Sequence, residues 1–168
     1  PPATIMCPTA MQLGLPVDVE CQTDLPTAQQ ATLAFLQAFG EQYFSENCTG
    51  FGNSFVTGPF SVGTTCMGTA TYRIYVSDNC DNVNSSCTFT ITWSDNTPPT
   101  VDDECPTATD LGMPALVSCI NDLPTGDEAE IFYGNAGGPS YFTDNCSGVA
   151  GWNISNPVIS GGPCSGFA

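Results

Sequence analysis

Polar and apolar residues alternate strictly over two stretches of this chain. From Thr69 to Val76, the apolar set Ala70, Tyr72, Ile74 and Val76 interleaves with Thr69, Thr71, Arg73 and Tyr75. From Cys87 to Trp93, the set Cys87, Phe89, Ile91 and Trp93 interleaves with Thr88, Thr90 and Thr92. A period of two places one face on a core and the other in water, so both stretches predict half-buried antiparallel strands. The polar segment Ser77 to Ser86 between them reads as a long hairpin loop. Shorter strand candidates are Thr4–Cys7, Val17–Cys21 and Phe55–Thr57, then Ala115–Cys119 and Asn153–Ser155 further on. Short strands punctuated by Gly, Pro and Asn predict an all-β chain built as a β-sandwich.

One helical period interrupts the strands. Thr27 can cap a helix, Gln30 stands three residues on as its capping-box partner, and Gly40 suits the left-handed closing position. Between them Ala31, Leu33, Ala34, Phe35, Leu36, Ala38 and Phe39 favour a helix or pack on a core. A second start at Thr125 and Glu128 is followed by Ala129 to Tyr133 before Gly134, predicting a shorter helix. Packing is the role expected of both.

The recurrence is general. A shift of 98 residues lays Cys7–Ala10 on Cys105–Ala108, Cys21 on Cys119, and Asp24–Thr27 on Asp122–Thr125. It also lays Tyr43-Phe44 on Tyr141-Phe142, Asn47-Cys48 on Asn145-Cys146, and Cys66 on Cys164. The chain therefore reads as one full repeat, 1–97, and a second, 98–168, that stops at the equivalent of Ala70 and lacks its last strands. Tandem modules of this kind serve more often as spacers or sticky surfaces than as enzymes.

Composition narrows the setting. Ten cysteines, six in the first repeat and four in the second, with no histidine, point to disulfides and an oxidising, secreted location rather than to zinc. Six cysteines allow 15 pairings, so spacing alone leaves connectivity open. No apolar run approaches the roughly 20 residues of a membrane helix. No signal peptide is visible, and a targeting segment is expected to have been removed or to lie outside this chain.

Seventeen carboxylates face a single cation, Arg73, for a net charge of -16. Nucleic acid and anionic membrane surfaces would meet no counter-charge, and both are excluded as partners. Ser-His-Asp and Cys-His catalysis need a histidine and Ser-Lys catalysis a lysine, none of which is present. Carboxylate pairs are plentiful, but their placement singles out no two of them for glycoside hydrolysis.

The segments Asp78-Asn79-Cys80-Asp81-Asn82, Cys87–Thr92 and Asp95–Thr100 occur in an order that resembles a known module. They are similar to the hyalin-repeat (HYR-like), immunoglobulin-type domains, in particular the cysteine-rich variety of giant surface proteins of Bacteroidota. That family closes a module with a D-N-C-G-N turn, a C-x-F/Q-x-I-x-V strand and a D-x-T-P-P-T linker, and a C-P opens the next. Here Asp81 replaces the usual glycine, a residue that tolerates the left-handed geometry of the turn. The resemblance implies disulfide-stapled immunoglobulin-like sandwiches with a short inserted helix, strung as extracellular adhesins or stalks, with no catalytic residues. It also implies a Cys7–Cys87 bond joining first and last strands, which leaves Cys105 without its partner. Cys21, Cys48, Cys66 and Cys80 would then form two further bridges, and Cys119, Cys146 and Cys164 belong to the second repeat's set.

Calcium is the candidate cofactor. Asp95, Asn96, Asp102, Asp103 and Glu104 crowd the junction between the repeats, and a hard cation would relieve their repulsion. A solvated acidic linker explains the same residues, and the two readings stand side by side. Asp78, Asn79, Asp81, Asn82 and Asn84 form a weaker candidate, because Asx-rich loops commonly satisfy their own backbone. Asn84 and Asn153 head glycosylation sequons, as do Asn47 and Asn145, where the middle residue is cysteine.

The function expected is a non-catalytic structural or adhesive repeat whose partners are neighbouring repeats or copies. One alternative is a fibre subunit in which a strand from another copy completes the second repeat. The other is a carbohydrate-binding module that uses Tyr43, Tyr72, Tyr75, Trp93, Tyr141 and Trp152 against surface glycans.

Overall fold

The computed structural model describes residues 6–46, 50–102, 104–146, 148–162 and 165–167. The chain is mostly β-sheet with two short helices and disulfides, and it divides into two compact units, 1–96 and 97–168.

The first unit is built on one mixed sheet. Its strands are β1 (Asp18–Val19), β2 (Phe51–Gly63), β3 (Met67–Asp78), β4 (Val83–Asn84) and β5 (Thr88–Ser94). The order is β1-β5-β3-β2, with β4 paired to the end of β3. Strand β3 is antiparallel to both β2 and β5, whereas β1 runs parallel to β5. The register sets Ala70 beside Ile91 and Tyr72 beside Phe89, so the apolar sets of the two alternating stretches share one face. That face is the core: Ala70, Tyr72, Ile74, Cys87 and Ile91 are wholly buried, with Val76, Phe89 and Trp93 nearly so. Each large side chain so buried contributes about 1.5–3 kcal/mol. Tyr72 and Phe89 stack with ring centres 4.9 Å apart.

Two details of the strands differ from the periodic reading. Strand β2 extends well beyond Phe55–Thr57, because glycine and proline conceal its pattern. Its register shifts between Phe51 and Ser54 and between Thr57 and Phe60, where bulges displace the alternation. A Cβ on Gly52 or Gly63 would lie 2.5 or 2.4 Å from a carbonyl oxygen of β3, so glycine is required there for the strands to meet. Of the candidate Thr4–Cys7, Thr4 and Ile5 fall outside the described residues and Cys7 is not in a strand.

The layer facing the sheet includes helix α1 (Ala28–Gln37) and the turns before it. Thr27 accepts from the Gln30 backbone N–H, and the Gln30 side chain accepts from that of Thr27, completing the expected capping box. Ala31 and Phe35 are wholly buried against Ala10, Leu13, Leu25, Phe44 and Val56. The helix is tied to the sheet by Thr32, whose hydroxyl accepts from the Val56 N–H at 2.9 Å and donates to the Ala28 carbonyl. The left-handed residue at its end is Phe39 (φ 51), not Gly40. Gly40 is needed for space instead, since a Cβ there would come within 2.2 Å of the Phe35 ring.

In the second unit, β6 (Thr100–Val101) pairs with β7 (Phe142–Thr143), and β8 (Ser160–Gly162) pairs with β9 (Ser165–Phe167). Helix α2 (Gly126–Asn135) is longer than predicted and runs through Gly134. Thr125 and Glu128 cap it as Thr27 and Gln30 cap α1. Gly137 takes the left-handed place (φ 72), and Gly138 lies against Tyr133 as Gly40 does against Phe35. The predicted strands Ala115–Cys119 and Asn153–Ser155 do not form. A strand needs a neighbour to take its backbone hydrogen bonds. At the corresponding places of the first unit β1 leans on β5 and β2 on β3, whereas among the described residues of the second unit these segments have no strand beside them.

Candidate functional site

Cysteine chemistry is where the first unit is most constrained. Cys7 and Cys87 are joined, closing a separation of 80 residues around the wholly buried Cys87. The bond stands between a loop and the start of β5, and the Ile74 N–H on the neighbouring strand donates to the Cys87 carbonyl. Cys21 and Cys146 each take part in a disulfide of their own. Cys48 and Cys164 lie outside the described residues.

Cys66 and Cys80, expected in bridges, and Cys119, of the second repeat's set, are free and exposed; Cys105, expected without a partner, is free and exposed as well. Cys66 and Cys80 sit beyond opposite ends of the 12-residue β3. At about 3.3 Å per residue they stand roughly 40 Å apart, against the ~7 Å Cα limit of a disulfide. Cys105 has no available Cys87, which Cys7 already holds.

The acidic candidates belong to both units. Asp95 and Asn96 belong to the first unit, Asp102 and Glu104 to the second, and Asp103 lies outside the described residues. The Asp95 N–H donates to the Cys66 carbonyl, and the Asn96 side chain donates to that of Ser94. The Asp102 carboxylate accepts from the Thr143 hydroxyl. Asp102, Glu104 and Asp110 line one open depression of about 700 Å³ with Cys105, Thr107, Ser140 and Tyr141. Asp110, which the sequence reading did not single out, accepts from both the hydroxyl and the N–H of Thr107, and these bonds hold its carboxyl below the usual range. Among the described residues no three His, Cys, Asp or Glu side chains are grouped to hold a metal ion.

The Asp78 loop is a self-satisfied turn. Asp78 accepts from the Asn82 side chain at 2.7 Å, from the Asn82 N–H and from the Cys80 N–H. Those donors, the Asn82 side chain foremost, hold its carboxyl below the ordinary value. Asp81 supplies the left-handed residue of the turn (φ 63), and Asn84 accepts from the N–H and hydroxyl of Ser86. The side chains of Asp78, Asn82 and Asn84 in the weaker cation candidate are thus engaged in shaping the hairpin loop. Asn153, the other sequon residue of interest, is exposed and donates to Glu130.

The aromatic candidates divide between core and surface. Tyr72 donates from its hydroxyl to the Pro26 carbonyl at 2.7 Å, and burial pushes its phenol up to about 12. The Trp93 indole donates to the Thr64 carbonyl. Both serve the core, as does Tyr133, which packs on the half-exposed Trp152. On the opposite face of the sheet Tyr75 stacks flat on Phe55, ring centres 4.9 Å apart, with Phe60, Val62 and Met67 exposed on the same two strands. Tyr43 and Tyr141 are half-buried.

No family model, curated protein or solved structure matches the chain. Residues and geometry alone carry the functional reading.

Proposed function

We propose that the chain is a non-catalytic stretch of an extracellular surface protein or filament, made of two copies of one disulfide-closed, immunoglobulin-like module. The observation that carries this reading is the Cys7–Cys87 bond. It ties the start of the first unit to its last long strand, so tension applied along the chain meets a covalent bond before it reaches the sheet. Stapled modules of this size belong in oxidising surroundings, where their cross-links supplement a modest core. The recurrence of capping boxes, glycine contacts and left-handed positions at one offset supports a duplicated unit. The acid-rich, lysine-free surface suits an exposed location and disfavours polyanionic partners.

The test uses a membrane-impermeant maleimide on intact cells that make the protein, followed by mass spectrometry of non-reduced digests. Labelled Cys66 and Cys80 together with a cross-linked Cys7–Cys87 peptide are expected. Recovery of the protein only from lysed cells, with Cys7 and Cys87 labelled, would overturn the reading.

A further inference from the structure

Helix α1 is apolar on both of its sides. Ala31 and Phe35 take the buried side, yet Leu33 and Leu36 on the solvent side are half-exposed, and no residue from Ala28 to Gln37 is charged. A surface helix ordinarily turns charged and polar residues to solvent. Phe39 follows in the left-handed region (φ 51) with 79% of its surface exposed. A bulky residue is strained in that region, and a ring left in water recovers little of the cost by packing within its own unit. The second unit meets the same backbone demand with Gly137 (φ 72). Residue 39 thus carries an exposed aromatic ring where the backbone favours glycine.

The outer side of α2 is built the other way. At the offset of 98, Leu36 and Phe39 correspond to Gly134 and Gly137, both exposed. A Cβ on Gly134 would lie 3.5 Å from the Trp152 ring, which is itself nearly half exposed. Bare backbone therefore stands beside an open indole where α1 raises two large side chains. Ile131, exposed at the place of Leu33, lies one turn before Gly134. Charge agrees with shape. The first turn of α2 holds Asp127 and Glu128, whereas α1 has no acid in its own. On a chain of net charge -16, the uncharged outer side of α1 is a surface that another copy's acidic helix can approach without local like-charge repulsion.

We infer that Leu36 and Phe39 of one copy dock on the bare backbone at Gly134 and Gly137 of a second copy of this chain, with Phe39 against the Trp152 ring. The contact is heterologous: each copy gives the α1 surface and receives on the α2 surface, so copies add head to tail. Phe39 is the anchor, because an aromatic side chain brings a large apolar area and a ring contact together. The inference rests on the filament reading for its partner and supplies the surface through which copies would join.

The test is sedimentation equilibrium of the full oxidised chain, its free thiols alkylated so that no disulfide links copies. Concentrations run up to about 1 mM, the weak end of the affinity scale. The parent chain should self-associate. Phe39→Gly, which removes the anchor, and Gly134→Leu, which fills its seat, should each weaken association by at least about tenfold. Both variants should fold, since leucine is the better helix former at the exposed position 134 and glycine relieves the strain at 39. Mixed together, the two should form a one-to-one complex and nothing longer, because one keeps the α2 surface and the other the α1 surface. Trp152 emission should move to shorter wavelength on mixing, Trp93 being buried throughout.

Four results would each overturn the inference. They are a parent chain that stays monomeric at every concentration, Gly134→Leu associating alone as strongly as the parent, a mixture that forms no complex, and a urea midpoint for Phe39→Gly below the parent's. The last would show that the ring packs within its own unit. None of these touches the extracellular, disulfide-closed reading, which the labelling of Cys7 and Cys87 on intact cells decides.

Discussion

Replacing both Cys7 and Cys87 by alanine should cost the first unit about 4–5 kcal/mol. The bond closes a separation of 80 residues, and the chain-entropy relation for a loop of that length gives about 4.5 kcal/mol at 25 °C. Loss of the buried Cys87 sulfur adds a smaller packing term, since its site is wholly inaccessible to water. Against the roughly 5–15 kcal/mol typical of a whole domain, this is a third or more of the total. The measurement is urea unfolding in non-reducing buffer, followed by tryptophan fluorescence. Of the two tryptophans Trp93 lies in the first unit's core and Trp152 in the second unit, so a Trp152→Phe background isolates the first. The midpoint should fall, and the slope should rise, because the unfolded chain is no longer closed and exposes more surface. Cys66→Ser and Cys80→Ser should leave both quantities unchanged, being exposed and unbonded. A loss below about 1 kcal/mol with an unaltered slope would refute the entropic reasoning.

Two further substitutions probe the core. Gly40→Ala would set a Cβ 2.2 Å from the buried Phe35 ring, and calorimetry should show a loss of about 1–3 kcal/mol, with Gly151→Ala, which meets nothing within 4 Å, as a neutral control. Tyr72→Phe removes the donor to the Pro26 carbonyl, at a cost of about 1–2 kcal/mol near neutral pH. The folded phenol holds its proton up to about 12, above the ordinary 10.0, so its contribution is complete below pH 10 and is lost as pH rises from 10 to 12. Urea midpoints across that window should therefore fall more steeply for the parent chain than for Tyr72→Phe.

How far the fold was legible depended on where one signal dominated. The alternation in Thr69–Val76 and Cys87–Trp93 revealed both central strands and their buried faces, because each side chain there answers only to inside or outside. The Thr27–Gln30 capping box was equally plain, being a local bargain between two side chains and two N–H groups. Strand β2 was obscured because its glycines serve backbone approach to β3, a demand that is visible only once the partner is known. Gly40 carried a false local signal: its lack of a side chain answers to Phe35, while Phe39 bears the left-handed strain. Ala115–Cys119 and Asn153–Ser155 have strand-like composition, but among the described residues no strand lies beside them, so pattern alone overstated them. That Cys66 and Cys80 do not pair with each other follows from the length of β3, a three-dimensional fact that counting cysteines does not contain. Asp110 escaped notice because nothing in its neighbourhood resembles a ligand motif, and only the fold places it near Asp102 and Glu104.

The most direct measurement of a covalently closed, load-bearing unit is the length the chain yields under tension. Held by its two ends in optical tweezers, the oxidised chain should withhold the segment between Cys7 and Cys87. At about 3.3 Å per residue, the 80-residue separation corresponds to roughly 26 nm of contour length, released only once reductant is added, with any further bridges adding to it. Equal extension with and without reductant would contradict the account, because the sheet rather than the disulfide would then be bearing the load.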